Sequence, residues 1–175
     1  EEFTTHSMFD DSVEDKNIKS LMINKEKKNI FLFSNIEWDV GLMDCHTIFE
    51  DLMSWILFTI DSVKNHKEVH LFIKTHPGEI FGNKTSETVA DKILKKYPVL
   101  PENVTLIKPE YKIIPYSLFK YIDVGVVLSG TLGLEMSLKG IPVITAGLSP
   151  YGRKGFVHEP KSCEEYVDML FSKNN

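Results

Sequence analysis

The segment Asp123–Gly147, DVGVVLSGTLGLEMSLKGIPVITAG, constrains this chain's fold more than any other part. An apolar run from Val124 to Leu128 leads into Ser129-Gly130-Thr131. A helix-compatible stretch follows, ends at Gly140, and gives way to a second apolar run, Pro142 to Thr145. Strand, polar turn, helix and strand in that order make one βαβ unit. The turn puts small residues and backbone N–H groups at a helix N-terminus. Those groups have no partner within the helix and carry the positive end of its dipole, so they suit a phosphate.

The rest of the chain fits this unit into one domain. Its 175 residues suffice to bury roughly 70% of the unfolded surface, so no disulfide or metal staple is needed. A net charge of −5 argues against nucleic acid as the main partner, and the lysine-rich stretches alternate with acids as solvated faces do. Cys45 and Cys163 lie far apart with no CxxC spacing, which predicts two reduced thiols in a cytosolic protein and no zinc site. The sequons at Asn83 and Asn103 are then chance matches. No signal peptide and no membrane-length apolar run is present. The chain opens at Glu1, and residues 1–28 are polar and charged, so we expect a linker or peripheral segment in a fragment of a longer protein.

Residues 29–175 carry the expected domain. Strands are predicted at Asn29–Ser34, Val69–Lys74, Val104–Ile107, Val124–Leu128 and Pro142–Thr145. Helices are predicted at His46–Lys64, Thr85–Tyr97, Pro115–Tyr121, Thr131–Lys139 and Ser162–Phe171. The last has Ser162 as N-cap with Glu165 three residues on, a capping box. In the first helix Trp55, Leu57 and Phe58 widen the apolar stripe almost to a cylinder, so it is expected to be covered on two sides, one of them by a missing domain or a partner protein. The alternation predicts an α/β doubly wound parallel sheet of about five strands with helices on both faces. Ligands of such sheets lie beyond the strands' carboxyl ends. The loops Asn35–Asp44, Thr75–Gly78, Lys108–Lys112, Ser129–Thr131 and Gly147–Gly155 should therefore share one rim.

Several rim residues have chemistry to offer, each beside a plainer explanation. His76, in Thr75-His76-Pro77, can donate N–H to a phosphate and add charge as imidazolium, or it can be a turn histidine with no ligand. Alternation points Lys74 away from it. Ser129, Gly130 and Thr131 either cradle an anion or merely cap a helix, and the two roles are compatible. Glu135 can take ribose hydroxyls or pair with Lys139 one turn on. Arg153 is the only arginine among 20 Lys and Arg residues. Its planar fork suits a carboxylate or phosphate, or it is a solvated loop charge. Glu37, Asp39 and Asp44 are acid–base candidates or an exposed acidic loop, with Trp38 beside them to stack on a sugar. GxGxxG, GxxxxGK[ST] and HExxH are absent, so NAD chemistry, ATP hydrolysis and a metal centre are not expected.

The succession SNIEWD, IKTHPGE, SGTLGLEMSLKGIPVITAG and PYGRKGF resembles the C-terminal, donor-binding half of GT-B glycosyltransferases. Most of all it resembles the capsule polysaccharide biosynthesis proteins, which include bacterial Kdo transferases. The resemblance covers Asn29 to Phe171. It implies a Rossmann-like domain that holds a nucleotide-sugar donor against a second, N-terminal GT-B domain missing from this chain. It also implies His76 and Pro77 at the donor phosphate, Ser129, Gly130 and Thr131 as the phosphate turn, and Glu135 near the ribose. Members using CMP-activated sugars carry similar HP turns, so a CMP-sugar is favoured over a UDP-sugar, with no further cofactor and no metal. The acceptor is then a glycan or glycolipid, and the location cytoplasmic or peripheral at the inner face of the membrane. The SGT turn also resembles that of the UDP-sugar-using lipid-A-disaccharide synthases. Two further functions stay open, a sugar-nucleotide epimerase of the same architecture and a non-catalytic scaffold in a polysaccharide assembly complex.

Overall fold

A computed structural model of the chain describes residues 16–37, 45, 47–80, 87–111 and 113–172. Its sheet contains β1 (Lys28–Phe33), β2 (Val69–Lys74), β3 (Val104–Ile107), β4 (Val124–Val127) and β5 (Val143–Thr145). The strand order is β3-β2-β1-β4-β5, and every pairing is parallel. Chain order reverses between β1 and β4, which makes their C-terminal ends the switch point. Register places Phe33 opposite Lys74 on one side and Val127 on the other.

Five helices pack on this sheet: α1 (Leu52–Val63), α2 (Val89–Lys96), α3 (Pro115–Leu118), α4 (Leu132–Leu138) and α5 (Cys163–Phe171). Alternation along the strands sorts the core into two clusters. Ile30, Leu32, Leu71, Ile73, Val124 and Val126 face Trp55, Ile60, Ile93 and Tyr166 on α1, α2 and α5. Phe31, Phe33, Phe72 and Val127 face the other way, toward Leu118, Phe119 and Met136. Both faces are covered, as predicted, and this is why the strands read as nearly unbroken apolar runs. On the second face Phe31 stacks on Phe72 at 4.5 Å, and His70 stacks on Phe72 at 4.4 Å.

Caps, not apolar periodicity, set the helix starts. α1 opens at Leu52 because Asp51 accepts the Ser54 N–H at 2.6 Å and Ser54 Oγ accepts the Asp51 N–H at 3.0 Å. A similar exchange between Thr88 and Asp91 starts α2 at Val89. Ser162 caps α5 as expected, but the Glu165 carboxylate takes the Lys161 N–H at 2.7 Å, so only half of the capping box forms. On α1, Trp55 is fully buried, its Nε1–H donates to Tyr166 Oη at 2.9 Å, and Phe49 packs edge-on to the same tyrosine. Trp55 is thus covered from within the chain, while Leu57 and Phe58 stay partly buried beside the core. In the polar lead-in, residues Lys16–Leu21 form a 3-10 turn whose Ile18 and Leu21 join the second cluster.

Candidate functional site

A cleft of about 360 Å³ opens beyond the C-terminal ends of β1, β2 and β4. Its floor is Phe33 and Val127. Ser34 and Asn35 follow β1, Lys74, His76 and Pro77 come from β2, Gly130 and Thr131 follow β4, Tyr116 comes from α3, and Glu135 from α4. Three of the expected loops, Asn35–Asp44, Thr75–Gly78 and Ser129–Thr131, thus contribute, and among the described residues Lys108–Lys112 supplies none. The Gly147–Gly155 loop does not line the cleft.

The HP turn is anchored before it bends. Thr75 is buried, and both its N–H and its hydroxyl donate to the Ile107 carbonyl, at 3.0 and 3.2 Å. This ties the end of β2 to β3. The chain then leaves the strand pleat, so alternation no longer separates Lys74 from His76, and both line the cleft. The Gly78 N–H donates to His76 Nδ1 at 3.0 Å. A backbone amide only donates, so Nδ1 is the acceptor and the ring proton sits on Nε2. Nδ1 is thus engaged within the turn. A Cβ on residue 78 would stand 2.9 Å from that nitrogen and 2.7 Å from Ile36 Cδ1, so glycine is required for the ring to fold over its turn.

Glu79, one residue further on, was legible only as part of IKTHPGE. It is 3% exposed, and its Oε1 accepts the Val89 N–H at 3.1 Å, linking the HP turn to the start of α2. Oε2 has no hydrogen-bond partner. Burial raises the pKa of this carboxyl against the pull of the Val89 bond, with Glu37 and Asp91 adding to the rise.

In the SGT turn Ser129 lies beneath the cleft, while Gly130 and Thr131 line it. The hydroxyls of Ser34 and Ser129, on neighbouring strand ends, are buried and have no hydrogen-bond partner among the described residues. Thr131 is already helical at φ −58° and its side chain makes no capping bond, so the plain capping role falls away. The Gly130 carbonyl accepts the Tyr151 hydroxyl at 2.6 Å. Glu135 and Tyr116 both line the cleft wall. Burial first and the Glu135 carboxylate second raise the tyrosine's pKa.

Arg153 is not brought to this site. It is exposed, sits at φ 58°, and its backbone N–H donates to Glu159 Oε2 at 2.6 Å. Its neighbour Tyr151 reaches the SGT turn instead. Glu37 is paired with Lys92 at 2.5 Å, while Trp38, Asp39 and Asp44 lie outside the described residues. Sequence reasoning gave Tyr116, on α3, no place in the site, and it gave Asn35 only a place in the rim loop after β1. Among the described residues no three His, Cys, Asp or Glu side chains converge as metal ligands, and no helix is long and apolar enough to cross a membrane.

A Rossmann-like α/β domain with its cleft at the switch point is the class this geometry defines. The chain belongs to the capsule polysaccharide biosynthesis protein family, whose model matches residues 5–166. No curated protein matches its sequence. Among solved structures it is similar to two of KpsC from Thermosulfurimonas dismutans. The beta Kdo 2,4 transferase is 18% identical with a TM-score of 0.55, over 82% of this chain and 43% of that one. The beta Kdo 2,7 transferase is 16% identical with a TM-score of 0.53, over 93% and 55%. A putative UDP-N-acetylglucosamine 2-epimerase from Listeria monocytogenes is 14% identical with a TM-score of 0.61, over 91% and 39%. The chain therefore spans about half or less of these neighbours' lengths, and at such identities the likeness is one of fold.

Proposed function

We propose that this chain is the donor-binding half of a capsule polysaccharide glycosyltransferase, and that it takes a CMP-sugar in preference to a UDP-sugar. The observation that carries the reading is the meeting of His76 with Gly130 and Thr131 across one cleft at the switch point. His76 Nε2–H and the backbone of the turn supply donors for the donor phosphate. Because α4 has only seven residues, directed hydrogen bonds outweigh its dipole. Glu135, beside Tyr116, receives the ribose hydroxyls. Negative charge grows on the leaving phosphate as the glycosidic bond breaks, and fixed donors stabilise that state more than the ground state. A base from a second domain deprotonates the glycan or glycolipid acceptor. Family membership supports the capsule assignment, and the HP turn supports CMP. Arg153 has no part in this reading. The reaction is placed in the cytoplasm or at the membrane's inner face.

An NMR titration of the ¹⁵N-labelled chain with CMP and UDP tests it. The amides of His76, Gly130 and Thr131 should shift saturably with CMP and at higher concentration with UDP, while that of Arg153 stays still. Tighter UDP binding, or shifts centred elsewhere, would overturn the assignment.

A further inference from the structure

The Gly130 carbonyl accepts two hydrogen bonds, from the Gly133 N–H at 3.1 Å and from the Tyr151 hydroxyl at 2.6 Å. Both donors lie away from the cleft: Tyr151 belongs to the second core cluster, and neither residue is part of the lining. The Gly130–Thr131 peptide is trans, and across a trans peptide C=O and N–H point in opposite directions. A carbonyl drawn back to Tyr151 therefore turns the Thr131 N–H to the opposite side of that peptide, and Thr131 itself lines the cleft. No backbone carbonyl among the described residues accepts that N–H.

We propose that Tyr151 is a positioning residue whose hydroxyl locks the Gly130–Thr131 peptide so that the Thr131 N–H is presented to an anionic group in the cleft. The lock is needed because residue 130 is glycine, which allows the peptide to flip at little steric cost. Its surroundings fit the task. The Ala146 and Gly147 N–H groups donate to Val127 and Leu128 at 2.8 and 3.0 Å, which carries the chain alongside β4 up to the turn. Glu159 then closes the loop by accepting the Arg153 N–H. A Cβ on residue 133 would stand 2.3 Å from Tyr151 Oη and 2.8 Å from Val127 Cγ2, so only glycine leaves room for the hydroxyl. Burial pushes the phenol's pKa up to about 12, so it remains a donor at any physiological pH.

The ligand part of this inference rests on the reading of the cleft given above, and the lock itself does not. Tyr151→Phe keeps the ring and removes the hydroxyl. In the unliganded, isotope-labelled variant, the Gly130 carbonyl and Thr131 amide resonances should move and broaden as two orientations exchange, with Ala90 and Ile93 unchanged. Unaltered Gly130 and Thr131 resonances would overturn the lock whether or not a nucleotide binds. In the wild-type chain the Tyr151 hydroxyl proton should be protected and resolved, and rapid exchange with water would also overturn it. With ligand, the variant should bind CMP about tenfold more weakly, as expected for one lost hydrogen bond to a charged group, and cytidine unchanged. Equal losses for CMP and cytidine would make Tyr151 a general structural residue and sink the proposal. If wild type binds no CMP while the variant's peptide flips, the lock stands and the nucleotide reading falls.

Discussion

His76 offers the cleft one ring nitrogen because the other already holds the Gly78 N–H. The HP dipeptide at a strand end was legible in the sequence. The engagement of Nδ1 was not, since that follows from how the turn closes. Glu79 shows the same limit more sharply. Nothing in IKTHPGE marks its carboxyl as buried, because the atoms that bury it come from elsewhere in the chain. Its pH behaviour follows from that burial. A carboxyl whose folded pKa is raised holds its proton longer in the folded state than in the unfolded chain. The folded chain then binds more protons, so stability declines as pH climbs from about 4.3, the ordinary glutamate value, through the raised value. Glu79→Gln keeps an oxygen for the Val89 N–H and abolishes the ionisation. Thermal melts should show the variant gaining on the parent as pH climbs from about 4.3, the ordinary glutamate value, through the raised one. A pH-independent difference between the two would contradict this account of Glu79.

At the scale of elements, the sequence placed every described strand to within about two residues but started two helices too early, at His46 and Thr85 where α1 and α2 begin at Leu52 and Val89. Ile48 and Phe49 continue the apolar spacing of α1, yet they pack in the bends before it, because the Asp51–Ser54 box stops the helix at Leu52. Both boxes use Asp or Ser at the third helical position and not Glu or Gln, so the usual S/T-x-x-E signal was silent. Close packing of α4 on β4 is set by two glycines, and they are not equivalent. A Cβ at residue 125 would meet the flexible end of Met136, at 2.5 and 2.6 Å. One at residue 133 would meet the pinned Tyr151 hydroxyl and Val127. Gly133→Ala should therefore cost about 2 kcal/mol, the usual range for overpacking, and Gly125→Ala clearly less, because a methionine side chain re-forms around an added methyl. Urea denaturation of both variants checks the order, and an equal cost would contradict it.

Over the whole molecule, the doubly wound sheet could be read from the strand pattern because parallel strands buried on both faces leave a strong apolar signature. The cleft was only half legible. Residues that sit in a strand-end motif, His76, Gly130, Thr131 and Glu135, were found where the motif put them. Tyr116 and Tyr151 act across the fold, through Glu135 and the Gly130 carbonyl, and such contacts have no local spacing to betray them. Arg153 shows the converse, a residue whose chemistry suited the site but whose loop clamps onto Glu159 and holds it outside. The central claim is that this cleft binds the phosphate of a cytidine nucleotide through the HP and SGT turns. Titration calorimetry of the chain with CMP and with UDP, wild type beside His76→Ala, tests it most directly. The account predicts saturable one-to-one binding of CMP, tighter than UDP, and weakened about tenfold in the variant by loss of a hydrogen bond to a charged group. No saturable heat with either nucleotide, or equal CMP affinity in both proteins, would contradict it.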